Sequence, residues 1–520
     1  MRAEAVKGSA IGLMLIAGAL AIGLMGMVVI AVGGPKLTAV ALGACAIVAC
    51  GYLLGNVRLL CLYGLLATMS LNLSRKLTGF SDRGGGASAI EIHASDPFWI
   101  AIAAFLAWEI LTRRRPTIRI PKVVWVWAII MAIGCVTVAF GQWQRVAAYE
   151  VIRMAKVATL FIVLVNELQR PKQFIHAAAA IGLGVLLQSG VAAAQYIKND
   201  TIGLEILGET AKETTEQLAE SSVIGMEVWR VSGLLLHPNL LGVFLAAAIP
   251  LMVAMFLAPI GRVLRLGFLV AAGLGTMALI ATFSRSSWVS FFASTVVFAG
   301  LILSHKQLFR RSLMPAVAAA TVVLMVLCAF AGQIITRLFS SKIDATNARE
   351  RFKEEAARLI AEKPVFGWGI NSYVDEILAF SDFSRAAYGG WVPPVHNIYF
   401  LWTADMGLVG LALHLFVVGY FIYVGITNLK IRHPMMYAIN AACLAAIAAF
   451  LVDGNFSFSL RVNQILRLFW VLGALMVAIR YWRLSGRASH APVHPDASGM
   501  LPEARGLFRR ARLPERSRSP

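Results

Sequence analysis

The chain has 520 residues, 59% hydrophobic and 14% charged, with a mean hydropathy of +0.74 and a formal net charge of +20. Soluble domains average about 45–50% apolar and about 25% charged residues, so a soluble enzyme, a secreted disulfide scaffold and a disordered chain are excluded. Apolar runs of about 20 residues match a bilayer's hydrocarbon thickness and mark an all-α, polytopic membrane protein, whose basic excess belongs to orienting loops rather than to nucleic acid.

From the N-terminus, the run at 9–32 is too long for the apolar core of a signal peptide. It leads straight into a second run from Leu37, so it reads as an uncleaved first span. Cutting the runs at charges, Gly/Pro clusters and polar stretches predicts about fourteen spans, at 10–32, 37–55, 58–72, 97–112, 121–141, 147–166, 174–196, 236–258, 264–283, 286–303, 313–332, 396–427, 435–452 and 463–480. Four regions follow. They are N-terminal spans over 1–200, a core over 201–427 with a large loop at 333–395, C-terminal spans over 428–480, and a disordered tail over 481–520 with eight arginines against three acids. The six cysteines lie inside apolar runs without metal-ligand spacing, so neither a disulfide framework nor a zinc site is expected.

Orientation follows from the basic loops. Arg113, Arg114, Arg115, Arg119 and Lys122 crowd one short connection, which should be cytoplasmic. Alternation from there brings Arg58, Arg170/Lys172, Arg262/Arg265, Lys430/Arg432 and both termini to the same side, with Arg75 and Lys76 the main exceptions. The longer loops, 74–96, 198–235, 333–395 and 453–463, then face the periplasm from a bacterial inner membrane.

Cations on the outer side run against that rule and are more informative for it. Arg145, Arg230, Arg285, Arg349, Arg351 and Arg461 all fall there. Arg285 lies in Ser284-Arg285-Ser286-Ser287 between two apolar spans, where an arginine is costly unless it snorkels or meets an anion. Snorkelling accounts for any one of these arginines. For the set, a shared anion is the better explanation, and the planar guanidinium fork suits phosphate oxygens. Glu150 and Arg153, three apart with Lys156 a turn further on, form either a structural ion pair or part of the site. Outer carboxylates (Asp96, Asp344, Asp375, Asp382, Asp453) are scattered, so no divalent-metal site and no cofactor is expected.

Two motifs open apolar spans after long outer loops: Arg230-Val-Ser-Gly-Leu-Leu-Leu-His237-Pro238-Asn239 and Val392-Pro393-Pro394-Val395-His396-Asn397-Ile398-Tyr399. Each sets a histidine and an asparagine beside helix-breaking prolines. His396, after the longest outer loop, is the candidate general base, because imidazole accepts a proton near neutral pH. His237, directly before Pro238, has the character of a helix-start residue. Asn239, Asn397, Tyr399 and Arg153 are further candidates around the site. Between the motifs, 348–363 predicts an amphipathic helix with Phe352, Ala356, Leu359 and Ile360 on one face, suited to lie on the membrane and roof the site. Pro364 ends it, and Gly367-Trp368-Gly369 makes a turn.

These motifs carry a family resemblance. Arg230 with Gly233 and His237-Pro238-Asn239, then Ser284-Arg285-Ser286, resemble the first half of the O-antigen ligase and polysaccharide polymerase superfamily. Arg349 ahead of Pro364-Val-Phe-Gly-Trp-Gly369, then His396-Asn397-Ile398-Tyr399 and Gly407-Leu-Val-Gly410, is similar to its second half, with Asp405 where the family has glutamate and Lys353 where it often has an aromatic residue. The resemblance implies that 201–427 is a catalytic core transferring glycan from an undecaprenyl-diphosphate carrier at the periplasmic face. The acceptor would be lipid A–core sugar in a ligase, or another lipid-linked repeat unit in a polymerase. It implies a metal-independent, inverting reaction, with Arg230, Arg285 and Arg349 on the diphosphate and His396 as catalyst.

The alternative class is a transporter or flippase of a lipid-linked saccharide, which should show repeat symmetry and binding charges near the bilayer midplane. A structural scaffold explains neither the outer arginines nor His396.

Overall fold

The computed structural model describes residues 56–79, 86–115, 117–210, 222–223, 226–227, 229–310, 343–381 and 394–485. The predicted spans at 10–32, 37–55 and 313–332, and the tail beyond Ser485, lie outside the described residues. In chain order come α1 (Val57–Thr68), a hairpin of β1 (Ser74–Gly79) and β2 (Ala89–His93), α2 (Asp96–Leu111), α3 (Val123–Phe140), α4 (Gln144–Glu167) and α5 (Pro171–Lys198). A small hairpin of β3 (Ser222–Val223) and β4 (Met226–Glu227) precedes α6 (Pro238–Leu257), α7 (Arg262–Ala281) and α8 (Arg285–Ser304). Then follow α9 (Ile343–Glu362), α10 (Tyr373–Phe380), α11 (Ile398–Asn428), α12 (Pro434–Asp453) and α13 (Asn463–Leu484).

This is a multi-pass helical membrane protein. Among the described residues eight helices are long and apolar enough to cross a bilayer: α3, α5, α6, α7, α8, α11, α12 and α13. α6 is apolar on every face and is packed on by α5, α7, α8 and α12, whereas α8 turns much of its surface outward: 89% of the best window of α6 is buried against 28% for α8. α12 and α13 complete the centre. The amphipathic helix predicted at 348–363 is present as α9, starting earlier, and packs on α11.

Two findings were not anticipated. The loop at 74–96 holds an antiparallel hairpin with Ser74 opposite His93, and Lys156 pins it to α4 through the carbonyl of Glu91 at 2.6 Å. The predicted span at 396–427 is α11, but it is broken at Gly407 (φ 65°, ψ −167°). The break also divides the packing. Leu401, Trp402 and Ala404 join α9 and α10 in a small cluster, while Met406, Val417 and Phe421 belong to the main core of the bundle.

Candidate functional site

The first half of the site is built on buried amides of α5. Gln195 Oε1 accepts from the backbone N–H groups of Ser232 and Gly233 (3.2 and 2.9 Å), and Gln188 Oε1 accepts from that of Leu234 at 2.8 Å. Gly233 adopts φ 60°, and a Cβ there would meet Gln188 Oε1 at 2.4 Å, so only glycine fits this clamp. The clamp fixes Arg230, which is buried and donates from Nε to the Thr282 carbonyl (3.0 Å) and from Nη2 to Asn239 Oδ1 (2.9 Å). Thr282 opens the tight turn between α7 and α8, where Phe283 is held at φ 47°, a conformation costly for a bulky residue. Ser284 caps α8, accepting from Ser287 N–H, and Arg285 is the first residue of that helix. A cation there opposes the positive end of the helix dipole, so stability does not explain its position.

His237 is the N-cap of α6: its Nδ1 accepts from Asn239 N–H at 3.0 Å, which assigns the proton of the neutral ring to Nε2. The helix-start role expected for it is therefore observed. Asn239 links this cap to Arg230, and its carbonyl accepts from Ser287 Oγ at 3.4 Å.

The second half is built around the break in α11. Helix interruption within a membrane protein strands backbone groups that need partners. Here the loop at 364–369 supplies them. Trp368 N–H and Gly369 N–H donate to the carbonyls of Ala404 (3.0 Å) and Asp405 (2.7 Å), while Leu408 N–H and Val409 N–H donate to those of Pro364 (2.8 Å) and Val365 (3.3 Å). Gly367 and Gly407 both have positive φ, and a Cβ on either would sit within 2.5 Å of the other strand's backbone. Trp368 Nε1 ties the same loop to the Leu359 carbonyl of α9 at 2.8 Å. At the head of α11, Asn397 Oδ1 accepts from Tyr399 and Phe400 N–H, and the Tyr399 hydroxyl donates to the Leu451 carbonyl at 2.7 Å. Both side chains hold the helix end. His396 packs edge-on against Phe458, ring centroids 5.4 Å apart, and its Nδ1 is buried without a hydrogen-bond partner.

The two halves meet. Burial first, then the charges of Arg230, His396 and Arg349, push the His237 pKa down to about 3. Burial, then the Arg349 charge, push His396 down to about 4 against the opposing pull of the Pro394 carbonyl. Crowding, then the charge of Arg285, lower the pKa of Arg349, although that side chain keeps surface in water. Arg230, Arg285, Arg349, His237 and His396, from distant parts of the chain, therefore share one electrostatic neighbourhood. Among the described residues no carboxylate is paired with Arg285 or Arg349.

Arg153 is not part of this cluster. It pairs with Glu150 at 2.5 Å and donates to the Arg461 carbonyl, and Arg461 in turn reaches Glu150 (2.8 Å) and Asp405. The ion pair expected between Glu150 and Arg153 is observed, and Arg461, expected among the outer anion-facing arginines, is engaged in the same network. Asp405 also accepts from Tyr373 N–H at 3.0 Å. A second network joins Asp96 to Arg467 (3.1 Å) and Lys156, and Glu91 to His93 and Asn463. Among the described residues no three His, Cys, Asp or Glu side chains gather as a metal site. Gln188, Gln195 and Thr282 escaped sequence reasoning. Polar residues inside an apolar run were the available signal for the two glutamines.

The sequence profile of the O-antigen ligase family matches residues 270–415, a little over a quarter of the chain, including Arg285, Arg349 and His396 but not Arg230 or His237. No curated protein matches the chain. With its bundle of membrane-crossing helices, the protein is thus similar to the O-antigen ligase family over residues 270–415, which supports a glycosyl-transferring role in the membrane.

Proposed function

We propose that the protein transfers glycan from an undecaprenyl-diphosphate carrier to an acceptor hydroxyl at the periplasmic face of a bacterial inner membrane. The carrying observation is the cluster of three arginines and two histidines, with His237, Arg285 and His396 at helix starts, in which Arg285 and Arg349 lack a described carboxylate partner. A concentration of positive charge in a partly dry setting supports an anionic ligand, and three planar forks suit the oxygens of a diphosphate. The placing of His237, Arg285 and His396 at the starts of α6, α8 and α11, rather than at mid-helix, favours this reading over a transporter.

In the reaction, the acceptor oxygen attacks the anomeric carbon as the bond from that carbon to the diphosphate oxygen breaks. The electron pair leaves with the diphosphate, whose growing charge Arg230, Arg285 and Arg349 stabilise. The acceptor proton passes to His396, which is neutral in the empty site and so able to take it. Either a lipid A–core sugar or another lipid-linked glycan provides such a hydroxyl.

The test is purified protein with a lipid-diphosphate oligosaccharide and acceptor, scored for product. His396→Ala should lower turnover by ~10²–10⁴-fold with donor binding retained. Near-normal turnover would move the base elsewhere. Loss of donor binding in step with turnover would make His396 a diphosphate ligand instead.

A further inference from the structure

The site lies between two separately packed bodies. α9, α10 and the first half of α11 share one apolar cluster, formed by residues such as Phe352, Leu359, Ile377, Ile398 and Leu401, and this cap carries Arg349 and His396. Arg230, His237 and Arg285 belong to the bundle. Gly407 is where α11 passes from one body to the other.

We infer that Asp405 and Arg461 are positioning residues that set the reach between the His396 side and the Arg230–Arg285 side of the cleft. Asp405 is the last carboxylate before the break, 1% exposed, and its two oxygens are divided between the bodies' connections. Oδ1 accepts from Tyr373 N–H at the start of α10, and Oδ2 accepts from Arg461, which sits in the turn leading into α13. Arg461 extends the tie to Glu150 of α4 at 2.8 Å. The half-helix from Ile398 to Met406 is therefore tied at its head to the end of α12, where Ile398 N–H donates to the Gly454 carbonyl (2.8 Å) and the Tyr399 hydroxyl to that of Leu451 (2.7 Å), and at its foot by a charged fork, so its rotation about Gly407 is fixed. The inference rests on the proposed transfer reaction for its kinetic consequence but not for its structural one.

The experiment uses the full-length protein with two variants. Asp405→Asn removes the charge, and Arg461→Lys keeps it but loses the two-pronged reach of the guanidinium. For a variant that folds, turnover measured below its own thermal midpoint should fall by about 10²-fold, the scale of a misplacement near 1 Å, while donor affinity stays within twofold. Asp405→Glu should recover most of the loss. In parallel, spin labels at exposed Ala357 of the cap and Ile206 of the bundle should report a longer or broader distance in either variant without any substrate present. If Asp405→Asn does not fold, Arg461→Lys carries the test alone. Turnover within twofold of wild type, donor affinity falling in step with turnover, or an unchanged label distance in a folded variant would each overturn the inference. A wild-type protein that transfers nothing would sink the proposed function instead, and the distance measurement would still decide this one.

Discussion

Two charged regions, one buried and one partly open to water, face the same end of the bundle and are built on opposite terms. Around α4 and the turn before α13, Asp405, Glu150, Asp96 and Glu91 are set against Arg461, Arg153, Arg467 and Lys156, four carboxylates among four cations. Between α6, α8, α9 and α11, the arginines sit beside histidines held neutral by burial and by those same charges. The first region answers its own charge; the second leaves Arg285 and Arg349 to be answered from outside. Taking charge out of water is costly in full for the first region and in part for the second, but only an unbalanced cluster needs a ligand to offset that cost. Arginine count alone would not separate them.

The comparison can be broken most forcefully from the balanced side. Glu150→Gln removes the negative charge between Arg153 and Arg461 in a buried setting and leaves one accepting oxygen where two had served both arginines and Ala87 N–H. The expected loss is ~3–5 kcal/mol of stability, read as a collapsed thermal midpoint or loss of folded protein. A stable Glu150→Gln protein with defective donor binding would mean the network is part of the ligand site after all.

A pH titration sharpens the unbalanced side. His396 and His237 have folded-state pKa values of about 4 and about 3, below the ordinary 6.5. On acidification the unfolded chain takes up protons first, so stability should fall from about pH 6.5 downward towards those folded values. For activity, the acid limb of kcat/KM reports the empty enzyme and should lie near pH 4. The limb of kcat reports the loaded one and should lie higher, because diphosphate charge offsets the arginines that hold the ring neutral. Coincident limbs near 6.5 would show that the arginines do not act on His396.

A smaller effect concerns the helix ends that carry the histidines. Asn397→Ala removes a side chain that accepts from two backbone N–H groups and should cost ~1 kcal/mol of stability, measured by thermal unfolding in detergent. A loss of donor affinity without loss of stability would make Asn397 a ligand rather than a cap.

Much of this was legible in the sequence. The apolar runs locate every described membrane helix within a few residues, and the amphipathic periodicity around Phe352 and Leu359 marks α9. The arginines and histidines stand out because cations and imidazoles beside apolar spans are costly in lipid and so draw notice in the sequence. Other features were hidden for physical reasons. Gly407 lies inside one long run whose single charge nearby is Asp405, and nothing local tells that the loop at 364–369 will supply its hydrogen-bond partners. Glu150 and Arg461 are far apart in the chain, so their pairing is a property of the bundle and not of either helix. The β1–β2 hairpin did leave a trace in the alternation of Ala89-Ile-Glu-Ile-His93, which reads as a short strand once the flanking glycines are weighed.

The measurement closest to the central claim is thermal unfolding of Arg285→Gln, with and without the lipid diphosphate donor. Arg285 combines a cation at a helix N-terminus with a like-charged neighbour in Arg349. Its removal should leave the empty protein as stable as wild type or more so, by ~0.3–1 kcal/mol, while greatly reducing the stabilisation that the donor confers on wild type. An empty variant that melts well below wild type, or one that gains as much from the donor as wild type does, would contradict the account.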